Sequence, residues 1–91
     1  MTDNQVVLCS PVRTAIGTYG GSLKDQPAST LGGNAIRASV ERSGVDPSRV
    51  QAVLMGQVIQ AGAGMNPARQ AAIGADIPVD VPAMTVNRVC G

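Results

Sequence analysis

An α/β layered fold with parallel strands is predicted for this chain of 91 residues, on three observations. Apolar-rich runs recur at Val6-Val7-Leu8-Cys9, which is continuously apolar, around Gln51 to Ile59, with Val53-Leu54-Met55 and Val58-Ile59 as its apolar content, and from about Ala83 to Val89. Such runs read as strands buried on both faces, the pattern of parallel sheets lying under helices. Apolar residues at helical spacing fill the stretches between them, from Ser29 to about Ser43 and from Pro67 to about Ile73. Proline and glycine punctuate the junctions. The expected order is βαβαβ, at most one domain, with residues 1–91 read as an incomplete part of a larger fold and no linker to mark a second domain.

Each element has its own warrant. Val6 to Cys9 is closed by Ser10-Pro11, and Cys9 inside it reads as a small buried hydrophobe. Val12 to Pro27, broken by Gly17, Gly20 and Gly21, reads as an irregular surface excursion. It carries Arg13 and Lys24, two conceivable phosphate contacts, but its glycine spacing is not a dinucleotide fingerprint. Ser29 and Thr30 are expected to cap the first helix, with Leu31, Ala35, Ala38, Ile36 and Val40 as its apolar stripe and Gly44 as its stop. Gly32 and Gly33 weaken it by about 1 kcal/mol each, so close packing is expected there. Arg37, Glu41 and Arg42 read as a solvated face. Asp46-Pro47 predicts a short helical turn, and Asn66-Pro67 caps a second helix that Gly74 ends. The crossover joining successive strands should be right-handed.

Composition bounds the functional classes. There is one Tyr, no Phe and no Trp, so the core is thin for its length, since each buried methylene adds only about 0.8 kcal/mol. Seven basic and six acidic residues are mixed along the chain, which argues against a nucleic-acid footprint. No stretch approaches the ~18 apolar residues of a membrane span, and the first residues do not form a secretory signal. Two cysteines without such a signal are expected to be reduced, which implies a soluble cytoplasmic protein. With no histidine and no CxxC pair, neither a structural metal site nor a redox site is expected.

The chemistry concentrates at Val89-Cys90-Gly91. A cysteine where a strand hands over to a following helix sits at an anion-stabilising end, which favours the nucleophilic thiolate. The Cys90 backbone amide there could also help hold the oxyanion of an acyl intermediate. A buried structural cysteine is the competing reading, and position alone favours it. No histidine in the chain could serve as the base.

Four stretches together resemble the amino-terminal end of the thiolase family, in particular its biosynthetic type. They are Ser10-Pro11-Val12-Arg13-Thr14-Ala15-Ile16-Gly17 with Tyr19-Gly20-Gly21-Ser22, Met55 to Gly62, Gly64-Met65-Asn66-Pro67-Ala68-Arg69-Gln70-Ala71-Ala72, and Thr85-Val86-Asn87-Arg88-Val89-Cys90-Gly91. They cover essentially the whole chain in order. Ala15 stands where the family usually has Pro, and Met65 where Gln is common.

The resemblance implies that Cys90 is the acyl-accepting nucleophile of an enzyme that reversibly condenses two acetyl-CoA into acetoacetyl-CoA and CoA. It implies a catalytic His, a second acid/base Cys and an Asn in the rest of the same enzyme, continuing after Gly91, so that this chain alone is inactive. It further implies that these strands belong to a mixed five-stranded sheet in the first of two similar halves, within a homodimer or homotetramer. Coenzyme A thioesters are then substrates and there is no resident cofactor. By the same analogy Asn66 to Ala72 is structural or interfacial. Two other readings stand beside this one: another condensing enzyme of the superfamily, such as a β-ketoacyl synthase, and a non-catalytic fragment that binds a partner.

Overall fold

The longest element is a helix, α1 (Ala28–Ser43), in a computed structural model that describes residues 4–91. Its cap is not Ser29 or Thr30 but Pro27, whose carbonyl accepts from the amides of Thr30 (3.0 Å) and Leu31 (3.2 Å). Proline's fixed φ and missing N–H suit the entry to a helix, so the serine and threonine fall inside the first turn. At the other end Gly44 takes the left-handed conformation (φ 73°) and donates to the Glu41 carbonyl, as its position predicts. A 3₁₀ turn, Pro47–Arg49, follows, with the Asp46 carboxylate accepting from the Ser48 amide at 2.9 Å.

Strand β1 (Val53–Gly56) pairs in parallel with β2 (Ala83–Val86), in the register Val53 opposite Ala83 to Gly56 opposite Val86. Helix α2 (Pro67–Gly74) connects them, so the βαβ unit is β1-α2-β2. The α/β class and the parallel pairing are those expected from the sequence. One expected strand does not form among the described residues. Val6 to Cys9 makes no ladder, and Val6 and Leu8 are 97% and 100% exposed. An apolar run becomes a strand only where a neighbour offers its backbone groups, and none lies beside this one. Cys9, expected in the core, is exposed for the same reason. The leading segment touches α1 through the Ser39 hydroxyl, which donates to the Ser10 carbonyl at 2.9 Å.

The core is small in side chain and number: Val53, Ala72, Ala75, Ile77 and Val81 are buried, with Ile36, Val40, Val50, Met55 and Ala83 packed against them. Little volume is available per residue, so α1 and α2 must approach closely. Gly33 makes this possible, since a β-carbon there would lie 3.2 Å from the Ala71 carbonyl oxygen. At Gly32 it would meet the Met55 methyl at 3.2 Å and the Ala71 β-carbon at 3.3 Å. Arg37 is not merely solvated: it donates to the Gly74 carbonyl and pairs with Asp76 at 3.3 Å, tying α1 to the end of α2. No helix among the described residues is long and apolar enough to cross a membrane.

Candidate active site

Cys90 lies four residues beyond the end of β2, not directly at a strand end. The strand was expected to run to Val89. It stops at Val86 because β1 has run out: the Val86 carbonyl takes the amide of Gln57 (3.0 Å), the residue just past β1. Asn87 and Arg88 are irregular, and Val89 and Cys90 form a turn closed by the Gly91 amide on the Arg88 carbonyl at 2.8 Å. Val89 adopts φ 54°, a left-handed conformation unfavourable for a β-branched residue, and this ends any strand geometry. Cys90 is exposed in this turn.

Other sequence candidates are not drawn together. Arg13 donates to the neighbouring Thr14 carbonyl and lines an open depression with Arg42, whereas Lys24 lines a different one with Tyr19 and Leu23. The segment from Thr18 to Gln26 is a series of turns closed by its own backbone.

A polar cluster behind β2 is the feature that sequence reasoning missed. Asn66, the cap of α2, sits at φ 44° and ψ 77°. Its side-chain oxygen accepts from the Arg69 amide (3.3 Å) and from the Thr85 hydroxyl (2.7 Å), while its amide nitrogen donates to the Ala83 carbonyl (3.1 Å). Thr85 in turn accepts from the Ala68 amide at 3.0 Å. The Arg69 guanidinium donates to the carbonyls of Val81 (3.0 Å) and Val79 (2.6 Å), and the Gln70 side chain to those of Ala63 (2.8 Å) and Met65 (3.0 Å). The polar side chains from Asn66 to Gln70 are therefore engaged in holding the fold. Asn66-Pro67 was visible as a cap signal, but nothing in the sequence marked Thr85 as its partner. Beside Thr85 a cavity of about 130 Å³ opens between Gly32, Met55, Gln57 and Ala71, with no ionisable group in its lining.

Comparison with known proteins places this α/β unit. Residues 6–91 match the family described as thiolase, N-terminal domain, and the chain belongs to the thiolase family. Among individual relatives, the acetyl-CoA acetyltransferase of Cupriavidus necator is 58% identical over 91 residues, which is 100% of this chain and 23% of the relative. The acetyl-CoA acetyltransferase of Pseudomonas aeruginosa is 54% identical over 86 residues, 94% of this chain and 22% of the relative. The mitochondrial acetyl-CoA acetyltransferase of Mus musculus is 48% identical over 89 residues, 98% of this chain and 21% of the relative. The chain therefore spans between a fifth and a quarter of the length of these relatives.

Proposed function

We propose that this chain supplies the amino-terminal part, residues 1–91, of an acetyl-CoA C-acetyltransferase, with Cys90 as the nucleophile that carries the acetyl group. The observation that carries the reading is the match to acetyl-CoA acetyltransferases along the whole chain, through Cys90, which is exposed here. In the first half-reaction the Cys90 thiolate attacks the carbonyl carbon of acetyl-CoA. The tetrahedral oxyanion collapses, the carbon–sulfur bond to CoA breaks, and CoA leaves as its thiolate. In the second, a base takes a proton from the methyl group of another acetyl-CoA. The resulting carbanion attacks the acetyl-cysteine carbonyl and expels Cys90, giving acetoacetyl-CoA. Thioester exchanges for thioester, so the first half-reaction runs readily both ways.

The Gly91 amide is spent on the Arg88 carbonyl, so the reading assigns oxyanion stabilisation to the amide of Cys90 itself. With no histidine in the chain, it places the base in the remainder of the enzyme. It invokes coenzyme A thioesters as substrates, no resident cofactor, a homodimer or homotetramer, and a cytoplasmic setting. Membership of the thiolase family favours this over a β-ketoacyl synthase. A partner-binding role without chemistry is the second reading, and it is favoured by the exposure of Val6, Leu8, Leu54 and Met84.

Thiolysis of acetoacetyl-CoA by the complete enzyme separates the two. Cys90→Ala should lower kcat on the order of 10³-fold or more, because removal of a covalent nucleophile is not compensated by its surroundings. Activity that survives the substitution removes Cys90 from the mechanism.

A further inference from the structure

We propose that Asn66 and Thr85 are positioning residues for Cys90, acting through β2. This rests on the reading of Cys90 as the acyl acceptor. Cys90 hangs from the end of a strand of four residues by a short irregular segment, so its place follows from where Val86 is held. One side of β2 is fixed by the ladder to β1, ending in the Gln57 amide on the Val86 carbonyl. Helix α2 also packs against β2, and the buried residues of that helix are small ones, Pro67, Ala68, Ala71 and Ala72. Such small smooth side chains attract but resist sliding weakly, whereas directional hydrogen bonds specify one register.

Those bonds come from two side chains. The Thr85 hydroxyl both donates to Asn66 and accepts from the Ala68 amide, joining the strand to the first turn of the helix. Asn66 adds a bond to the backbone of Ala83 while capping α2 through the Arg69 amide. Its left-handed backbone directs the short side chain to all three partners, and asparagine tolerates that conformation better than most residues. Arg69 secures only the approach to the strand, at Val79 and Val81. Asn66 and Thr85 are the side chains that hold β2 itself, the last regular structure before the nucleophile.

The test uses the complete enzyme, with rapid-quench measurement of acetyl-Cys90 formation from acetyl-CoA, KM, and thermal stability. Thr85→Val, which keeps the shape and removes the hydroxyl, should slow acetyl transfer roughly 10- to 100-fold with little change in KM, the cost of a displaced reacting atom. Thr85→Ser, which retains the hydroxyl, should restore the rate to within about twofold of the parent enzyme. Arg37→Ala, which cuts a tie between α1 and α2 away from β2, should lower Tm and leave the rate unchanged. Equal acetylation rates for Thr85→Val and Thr85→Ser overturn the proposal, whatever their Tm values. If Thr85→Val does not fold, Asn66→Asp carries the test, since aspartate still caps the helix but cannot donate to Ala83. Its acetylation should be slowed, and a rate equal to the parent's overturns the proposal. A Cys90→Ala enzyme that still becomes acetylated defeats the underlying reading; an inert one beside a fast Thr85→Val defeats only the positioning role.

Discussion

The proposed function needs a thiol reachable by a large thioester, and exposure alone does not single one out here. Cys9 and Cys90 are both exposed, so a small alkylating reagent can reach either. What should distinguish them is occupancy. Preincubation of the complete enzyme with acetyl-CoA is expected to protect Cys90 from iodoacetamide and leave Cys9 reactive, read by peptide mass spectrometry. Equal protection of both would remove the distinction. Asp46 offers a second test at this scale. The hydrogen bond from the Ser48 amide, helped by the Ser48 side chain and the charge of Arg49, lowers its pKa below the ordinary aspartate value. A depressed folded pKa contributes stability that is complete above the unfolded pKa and is lost as pH falls through the folded one. The Tm advantage of the parent over Asp46→Asn should therefore be present at neutral pH and close under acid conditions. The carboxylate is fully exposed, so the gap will be small.

Between elements, the contact of α1 with α2 depends on the absence of side chains. Gly33→Ala gains about 1 kcal/mol of helix propensity but forces its methyl against the Ala71 carbonyl, and overpacking typically costs about 1–3 kcal/mol. The obstacle is backbone, which cannot rotate aside, so a net loss of stability is expected. Gly32→Ala first meets the end of the flexible Met55 side chain and should cost less. Comparison of the two Tm values checks the ordering, and a Gly33→Ala variant more stable than Gly32→Ala would contradict it. These glycines were legible in the sequence as a packing signal, as were the Gly44 stop and the Asn66-Pro67 start. The strand expected at Val6 to Cys9 was not, because pairing belongs to two segments and a single run cannot reveal whether its partner is present. Thr85 was hidden for a similar reason: its hydrogen bond to Asn66 joins positions 19 residues apart.

As a whole, the molecule exposes more than a chain of its size usually does. Its accessible surface is 7067 Å², against roughly 4,900 Å² for a compact protein of 9.2 kDa. Its radius of gyration is 14.5 Å, where about 12 Å is usual for this length. Most of the excess lies in the leading segment, residues 4–27, which is almost wholly exposed, and part of it lies on the sheet. Alternate residues face opposite sides, so Val53 and Met55 turn toward the helices while Leu54, Met84 and Val86 face out at 64%, 57% and 43% exposure. Parallel sheets normally have both faces covered. Prepared by itself, the 91-residue polypeptide should bind the hydrophobic dye ANS and self-associate, and Leu54→Lys with Met84→Lys should reduce both. Weak dye binding by the unsubstituted polypeptide would mean that this face is closed in solution.

Local chemistry was sufficient for the α/β class, both helices and the capped turn at Asp46, because propensities and caps act over a few neighbours. Which apolar runs pair, how far β2 extends, that Cys90 stands in an exposed turn beyond it, and that Asn66 grips Thr85 were settled in three dimensions. Each of these depends on groups distant in the chain meeting at hydrogen-bonding or van der Waals range, and such meetings leave no local trace.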